Sequence, residues 1–289
     1  MSCSLNGCFT LTVVKSSAPT LTHVIPSQGA HVVLALASLD DDVFAVRYNS
    51  GRQVEVYNAV TFTLQRHITV PGLVSVGFGI AACARNKCIY VPNSVNNRVH
   101  RVPLSGSNAV NKWSVASKPV GLSVNKVHNL VVTCSKANKL QEYTTYGALV
   151  REICLQAGVK SPYHAIQLST GDYVVSQYTS PGVVSVVGVD GKVVHSYGPS
   201  QMSAVGQMKK PSNLAVTKND DILVADEDNN RILSINRSTD CVQELALSAD
   251  GGMQGPLGLC LDESRGRLYV GESGRLRRML VFDGVDATR

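Results

Sequence analysis

Three oxygen-bearing side chains at alternate positions open the stretch DEDNNRILSI (226–235): Asp226, Asp228 and Asn230. The first three ligands of an EF-hand loop have this spacing, because a hard cation gathers clustered oxygens. Such a loop also needs Gly at its sixth position and Glu at its twelfth. Arg231 and Arg237 stand there instead. Two cations in place of the turn glycine and the bidentate ligand argue against calcium. The stretch reads as a structural turn between two strands. Asp226 and Asn230 would bond nearby backbone N–H groups, and Arg231 would pair with Asp226 across the turn.

Other reactive constellations are sparse. His164 (in PYH) and Asn213 (in PSN) open two apolar strand patterns. One imidazole and one amide fall short of the three protein ligands that a catalytic metal usually takes. No GxSxG or Walker motif is present. The eight cysteines include no CxxC pair, which argues against zinc and thioredoxin-type chemistry. Cys83 and Cys88 flank the turn CARNKC and would face each other across a hairpin. We expect no catalytic residue, no metal and no cofactor.

The elements that would position any site come from a repeat. DVFAVR, CIYVPN, LVVTCS, YVVSQY, ILVADE and RLYVGE recur along the chain, and the marker valines Val46, Val91, Val132, Val175, Val224 and Val270 lie 41 to 49 residues apart. Pro119, Pro162 and Pro211 each precede their marker by 13 residues, and Pro256 by 14. Basic residues follow it at nearly constant offset: Arg52, Arg98, Lys139, Arg231 and Arg275. Asn97, Asn138 and Asn230 precede three of them. Each unit holds short β-branched runs punctuated by Gly, Asn, Asp and Pro, with no sustained helical period.

A four-stranded unit of this length is a propeller blade. The chain is therefore expected to be all-β, a six-bladed β-propeller forming a single domain over 1–289. The blades span roughly 31–70, 77–115, 119–155, 162–198, 211–247 and 256–282. The last unit has only three strands, so FTLTVVK (9–15) is expected to supply its outermost strand and close the ring.

KKPSNLAVTKNDDILVADEDNNRILSI, GPLGLCLDESRGRLYVGESGRLRRMLVF and, in part, CIYVPNSVNNRVHRV resemble the NHL repeat. That resemblance implies a six-bladed propeller of the kind found at the C-terminus of tripartite-motif proteins, where the domain binds RNA or protein. The chain has no cysteine–histidine cluster and no heptad run, so ubiquitin-ligase activity would need a RING domain that this sequence lacks. Some other six-bladed propellers are metal-dependent lactonases or lyases, a weaker alternative here.

In a propeller, the loops entering the inner strands share a face with those joining strands two and three. Seven cations fall there: Arg47, Lys118, Lys136, Lys160, Lys209, Lys210 and Arg275. The acids are Asp226, Glu227, Asp228, Asp250 and Glu272, all in blades five and six. A cationic crescent is expected over blades one to four, with Asn93, Asn96, Tyr163, His164, Gln177 and Tyr178 beside it. Cations meet phosphates and exposed rings stack on bases. The expected partner is single-stranded or hairpin-loop RNA. The alternative is a protein, recruited as substrate or cargo for a tripartite-motif ligase. The recurring arginines read as structural. The irregular QYTSPG of blade four, with Gly182 at the arginine position, is the loop most suited to partner contact.

The net charge of +6 permits an acidic partner without requiring one. No run of about 18 apolar residues exists, and the N-terminal segment lacks the regions of a signal peptide. A cytoplasmic protein without membrane association is expected.

Overall fold

The computed structural model describes residues 18–26, 31–48, 52–74, 77–105, 110–198, 207–247, 249 and 251–285. They form 24 strands in six four-stranded antiparallel sheets. Blade one is β2 (Val33–Leu39), β3 (Asp42–Arg47), β4 (Gln53–Asn58) and β5 (Leu64–Thr69). Blade two is β6 (Ala81–Cys83), β7 (Cys88–Asn93), β8 (Arg98–Pro103) and β9 (Asn111–Ser114). Blade three is β10 (Pro119–Val124), β11 (Leu130–Cys134), β12 (Lys139–Tyr143) and β13 (Leu149–Cys154). Blade four is β14 (Pro162–Gln167), β15 (Tyr173–Gln177), β16 (Val183–Val187) and β17 (Val193–Tyr197). Blade five is β18 (Pro211–Val216), β19 (Ile222–Asp226), β20 (Arg231–Asn236) and β21 (Cys241–Glu244). Blade six is β22 (Pro256–Asp262), β23 (Arg267–Glu272), β24 (Met279–Asp283) and, from the N-terminal side, β1 (Thr20–Ile25).

The ring closes where β1 pairs with β24, His23 opposite Val281 and Ile25 opposite Met279. The closing strand is thus Thr20–Ile25. The segment 9–15 expected in that place lies outside the described residues. The register also corrects the repeat markers. Leu36 pairs with Ala45 as Leu122 pairs with Val132 and Leu259 with Val270, so Ala45, not Val46, is the equivalent residue in blade one. Val33 and Gly77 then stand where the other blades have proline.

Why consecutive apolar residues build these strands follows from the packing. Each blade lies against two neighbours, so its middle strands are covered on both faces and need no polar alternation. β7 and β11 are buried at every position, whereas the rim strand β5 is buried at none. One apolar cluster fills each of the six blade interfaces. The cluster between blades one and two continues to Val120, Tyr163 and Leu257 at one mouth of the axis.

At the opposite face a polar tie crosses every interface in turn. Asp40 meets Lys87, Asn86 meets Thr145, and Asn125 meets Gln167. Ser169 meets Asp220, the Lys218 N–H meets Glu263, and Arg265 meets Asp41. Cys83 and Cys88 face each other in register as buried free thiols.

Candidate binding face

The face at which the inner strands begin is organised by one position in each blade. The last residue of the second strand is Arg47, Asn93, Cys134, Gln177, Asp226 or Glu272, and all six are buried. Five of them hold the loop that leads into their own blade's inner strand. Arg47 donates to the His31 carbonyl and Asn93 to that of Gly72. Gln177, Asp226 and Glu272 accept from the backbone N–H of Lys160, Lys209 and Gln254 at 2.6, 2.6 and 2.8 Å. Cys134 is a poor acceptor, and in its blade Gln141 on the next strand accepts from the Ala116 N–H instead. Irregular loops must have their backbone donors and acceptors satisfied where they are buried, and these side chains do it.

Arg47, Asn93 and Gln177 were expected above as surface contacts. Burial and the loop backbone remove them from that role.

Three of the anchors are charged and carry their counterion on the third strand or, in blade six, on the residue just before it. Arg47 pairs with Glu55 at 2.7 Å, Asp226 with Arg231 at 2.9 Å, and Glu272 with Arg278 at 2.7 Å. The pair expected at Asp226 and Arg231 is therefore present, with the Asp226 side chain fully buried. The Asp226 carboxylate also accepts from Asn229 Nδ2, so its oxygens are committed to the turn. In blade six the counterpart of Arg231 is Arg278; Arg275, placed in that series by spacing, is exposed.

The recurring asparagines have their own task. Asn97, Asn138 and Asn230 have φ of 49°, 52° and 56°, a left-handed conformation that asparagine tolerates better than most residues. Asn97 and Asn230 reach the loop into the next blade, and Asn138 reaches the end of its own blade's outer strand. Asn97 accepts from the Lys118 N–H, Asn138 donates to the Leu155 carbonyl, and Asn230 accepts from the Gly255 N–H at 2.7 Å.

His164 and Asn213 do face the axis, but as staples. The Leu214 N–H donates to His164 Nδ1 at 3.0 Å, so Nε2 carries the proton and donates to the Leu122 carbonyl at 3.0 Å. Burial pushes the imidazole pKa down to about 4, which keeps it neutral. Asn213 Nδ2 donates to the Leu257 carbonyl at 2.8 Å and to that of Leu34 at 3.4 Å. Together they lace the inner strands of blades three to six and blade one. His164 is therefore unavailable to RNA or metal.

Above these staples lies a cup of about 450 Å³, within the size range of small-ligand sites. Two rings of equivalent positions build it. The residue after the proline position gives Leu34, Phe78, Val120, Tyr163 and Leu257 as the lower ring, and the residue after each loop anchor gives Tyr48, Ser135, Tyr178 and Glu227 as the upper one. Tyr163 is buried and stacks on Tyr178 with ring centroids 5.0 Å apart, and Phe78 tilts against it at 5.9 Å. Lys210 lies over the Tyr178 ring at 5.9 Å while pairing with Asp228. Of the aromatic residues lining the cup, Tyr48 is the most open, 53% exposed.

Glu227 joins three blades at the rim: Oε2 accepts from the Tyr178 hydroxyl and Oε1 from that of Ser273, both at 2.7 Å. Lys118 lines the mouth. Lys118, Lys136, Lys160 and Lys209 are exposed, and among the described residues none of the four is in an ion pair. Asn96 is exposed on its turn, its N–H held by Asn93. Gly182 packs against the loop before β18, where a Cβ would lie 2.4 Å from Pro211 Cδ.

Tyr48 and Phe78 escaped the reading of the sequence, and Glu227 was read there only as one of the acids of this face. For Tyr48 and Glu227 the signal was there, one residue beyond the second strand of their blades, but Tyr48 joined that series only once the register of blade one was right. Among the described residues no group of three or more His, Cys, Asp or Glu side chains could hold a metal, and no helix is long and apolar enough to cross a membrane.

The fold defines a six-bladed β-propeller. No family model matches the chain, and no curated protein matches it. Solved structures share the architecture. A streptogramin B lyase superposes with a TM-score of 0.63 at 12% identity, covering 90% of this chain and 96% of that one. A catalytically inactive virginiamycin B lyase from Staphylococcus aureus, solved with quinupristin, gives 0.65 at 14%, covering 90% and 82%. The hydrazine synthase of Kuenenia stuttgartiensis gives 0.63 at 18%, covering 86% and 76%. At these identities the likeness extends to the fold. The neighbours include enzymes, so the architecture does not decide between binding and catalysis.

Proposed function

We propose that this propeller is a binding module whose loop face takes single-stranded or loop RNA, with one base in the axial cup and phosphates on the surrounding lysines. The observation that carries the reading is the pairing of an aromatic-walled cup with four exposed lysines on the same loop face, Lys118 at the mouth, none of them in an ion pair among the described residues. Base stacking on aromatic rings and phosphate contacts from lysines are what sequence-tolerant single-strand binding requires. The residues that resemble NHL repeats favour the same reading, and with it a place among tripartite-motif regulators.

The cup itself gives little to a hydrolase or lyase mechanism. Its lining includes one carboxylate, already accepting two hydroxyls, and no histidine.

The test is enrichment from an unbiased RNA pool followed by affinity measured against salt. With four lysines engaged, log K should fall with log salt at a slope of about 3. Replacing Lys136 by alanine should lower that slope by about 0.7 for every sequence tried. A pool with no enriched species at physiological salt would end the RNA reading.

A further inference from the structure

We infer that the cup selects guanine, through Glu227; this rests on the RNA reading above. The Glu227 carboxylate lines the cup. Each of its oxygens has taken one hydroxyl, from Ser273 at Oε1 and from Tyr178 at Oε2. A carboxylate oxygen has two acceptor sites, so one remains on each of the two neighbouring atoms. The two hydroxyls fix the carboxylate from two different blades. It is therefore oriented before any ligand arrives, which lowers the ordering cost of binding.

Two adjacent acceptors call for two adjacent N–H donors on one flat group. Among the bases only guanine has such an edge, its ring N1–H beside its exocyclic amino group. Adenine and cytosine place an amino donor beside a bare ring nitrogen, which would face the second carboxylate oxygen with a lone pair. Uracil has a single N–H between two carbonyls. The open ring surface for a base is Tyr48, on the opposite side of the six-bladed ring from Tyr178. An arginine side chain of a protein partner also offers paired donors. The exposed Lys118, Lys136, Lys160 and Lys209 oppose a cationic group and favour a base joined to phosphates.

The experiment uses the intact chain and fluorescent oligouridylates that carry one central guanosine, inosine or uridine, with arginine amide as a competitor. Inosine keeps the ring N–H and lacks the amino group, so the variable lies in the ligand and the protein's folding is not at issue. Guanosine should bind about tenfold more tightly than inosine, the loss of one charge-assisted bond. Glu227→Gln should abolish the difference, because an amide presents a donor where the second acceptor stood.

Equal affinity for the three strands would overturn the guanine assignment while leaving RNA binding intact. Failure of every strand to bind at low salt would overturn the RNA reading and this inference together. Binding of arginine amide, lost in Glu227→Gln, with no discrimination among the strands would assign the carboxylate to a protein side chain instead.

Discussion

Arg47 and Asp226 occupy the same position in blades one and five, and their charges are opposite. Each is buried, each anchors the loop into its own inner strand, and each is neutralised from the third strand, by Glu55 and Arg231 respectively. Where the anchor is charged, the pair of opposite charges and the loop it holds are kept while the sign reverses.

A single truncation leaves the partner buried and uncompensated, which costs about 3–5 kcal/mol. Arg47→Met should therefore lower the unfolding free energy by about that amount in a denaturant titration. The exchanged variant Arg47→Glu with Glu55→Arg should recover part of the loss, because blades five and six already carry that polarity. Equal stability of the single variant and the wild type would contradict the burial of the pair.

His164 makes stability depend on pH with a definite sign. Its folded pKa of about 4 lies below the ordinary 6.5, so between those values the unfolded chain binds the extra proton. The imidazole contributes fully above pH 6.5, and its contribution is lost as pH falls toward 4, by roughly 1.4 kcal/mol per pH unit. His100, also pushed down by burial, adds in the same direction. The wild type minus His164→Gln difference isolates one from the other, and it should shrink across this window in urea unfolding at stepped pH.

Tyr48→Ala should weaken RNA binding by about 1–3 kcal/mol, the worth of one stacked base. The ring is half exposed, so thermal stability should barely move. Tyr163→Ala is the contrasting case: a buried ring is removed and a fall in melting temperature should dominate. Anisotropy and calorimetry on the same two proteins separate the roles.

Asn230→Ala keeps a β-carbon at φ 56° without the polar side chain that makes this conformation tolerable, and deletes the bond to Gly255, together about 2 kcal/mol. Asn230→Gly removes the bond alone and should cost about half as much. Thermal unfolding of the pair gives the order.

The architecture was legible because each blade must bury both faces of its middle strands, so the apolar runs and their punctuation repeat. The prolines, the marker valines and the Asp226–Arg231 pair all follow from that need. The site was less legible. Arg47, Asn93 and Gln177 look like surface polar groups in a sequence. Only the loop folded back over them shows that their hydrogen-bonding capacity is spent on backbone. The places of Tyr48 and Glu227 in the cup were hidden because a wall made of one residue per blade has no local motif. Its members lie far apart in the chain and differ in type, and a one-residue error at Val46 was enough to separate Tyr48 from Tyr178.

Those single contributions have a consequence for divergence. Tyr48, Ser135, Tyr178 and Glu227 sit just past the buried anchors, so a substitution there leaves the anchor and its loop in place. The scaffold and its recognition surface can thus mutate independently, one blade at a time. Two propellers with the same skeleton can differ in what they recognise by as little as a few dispersed codons.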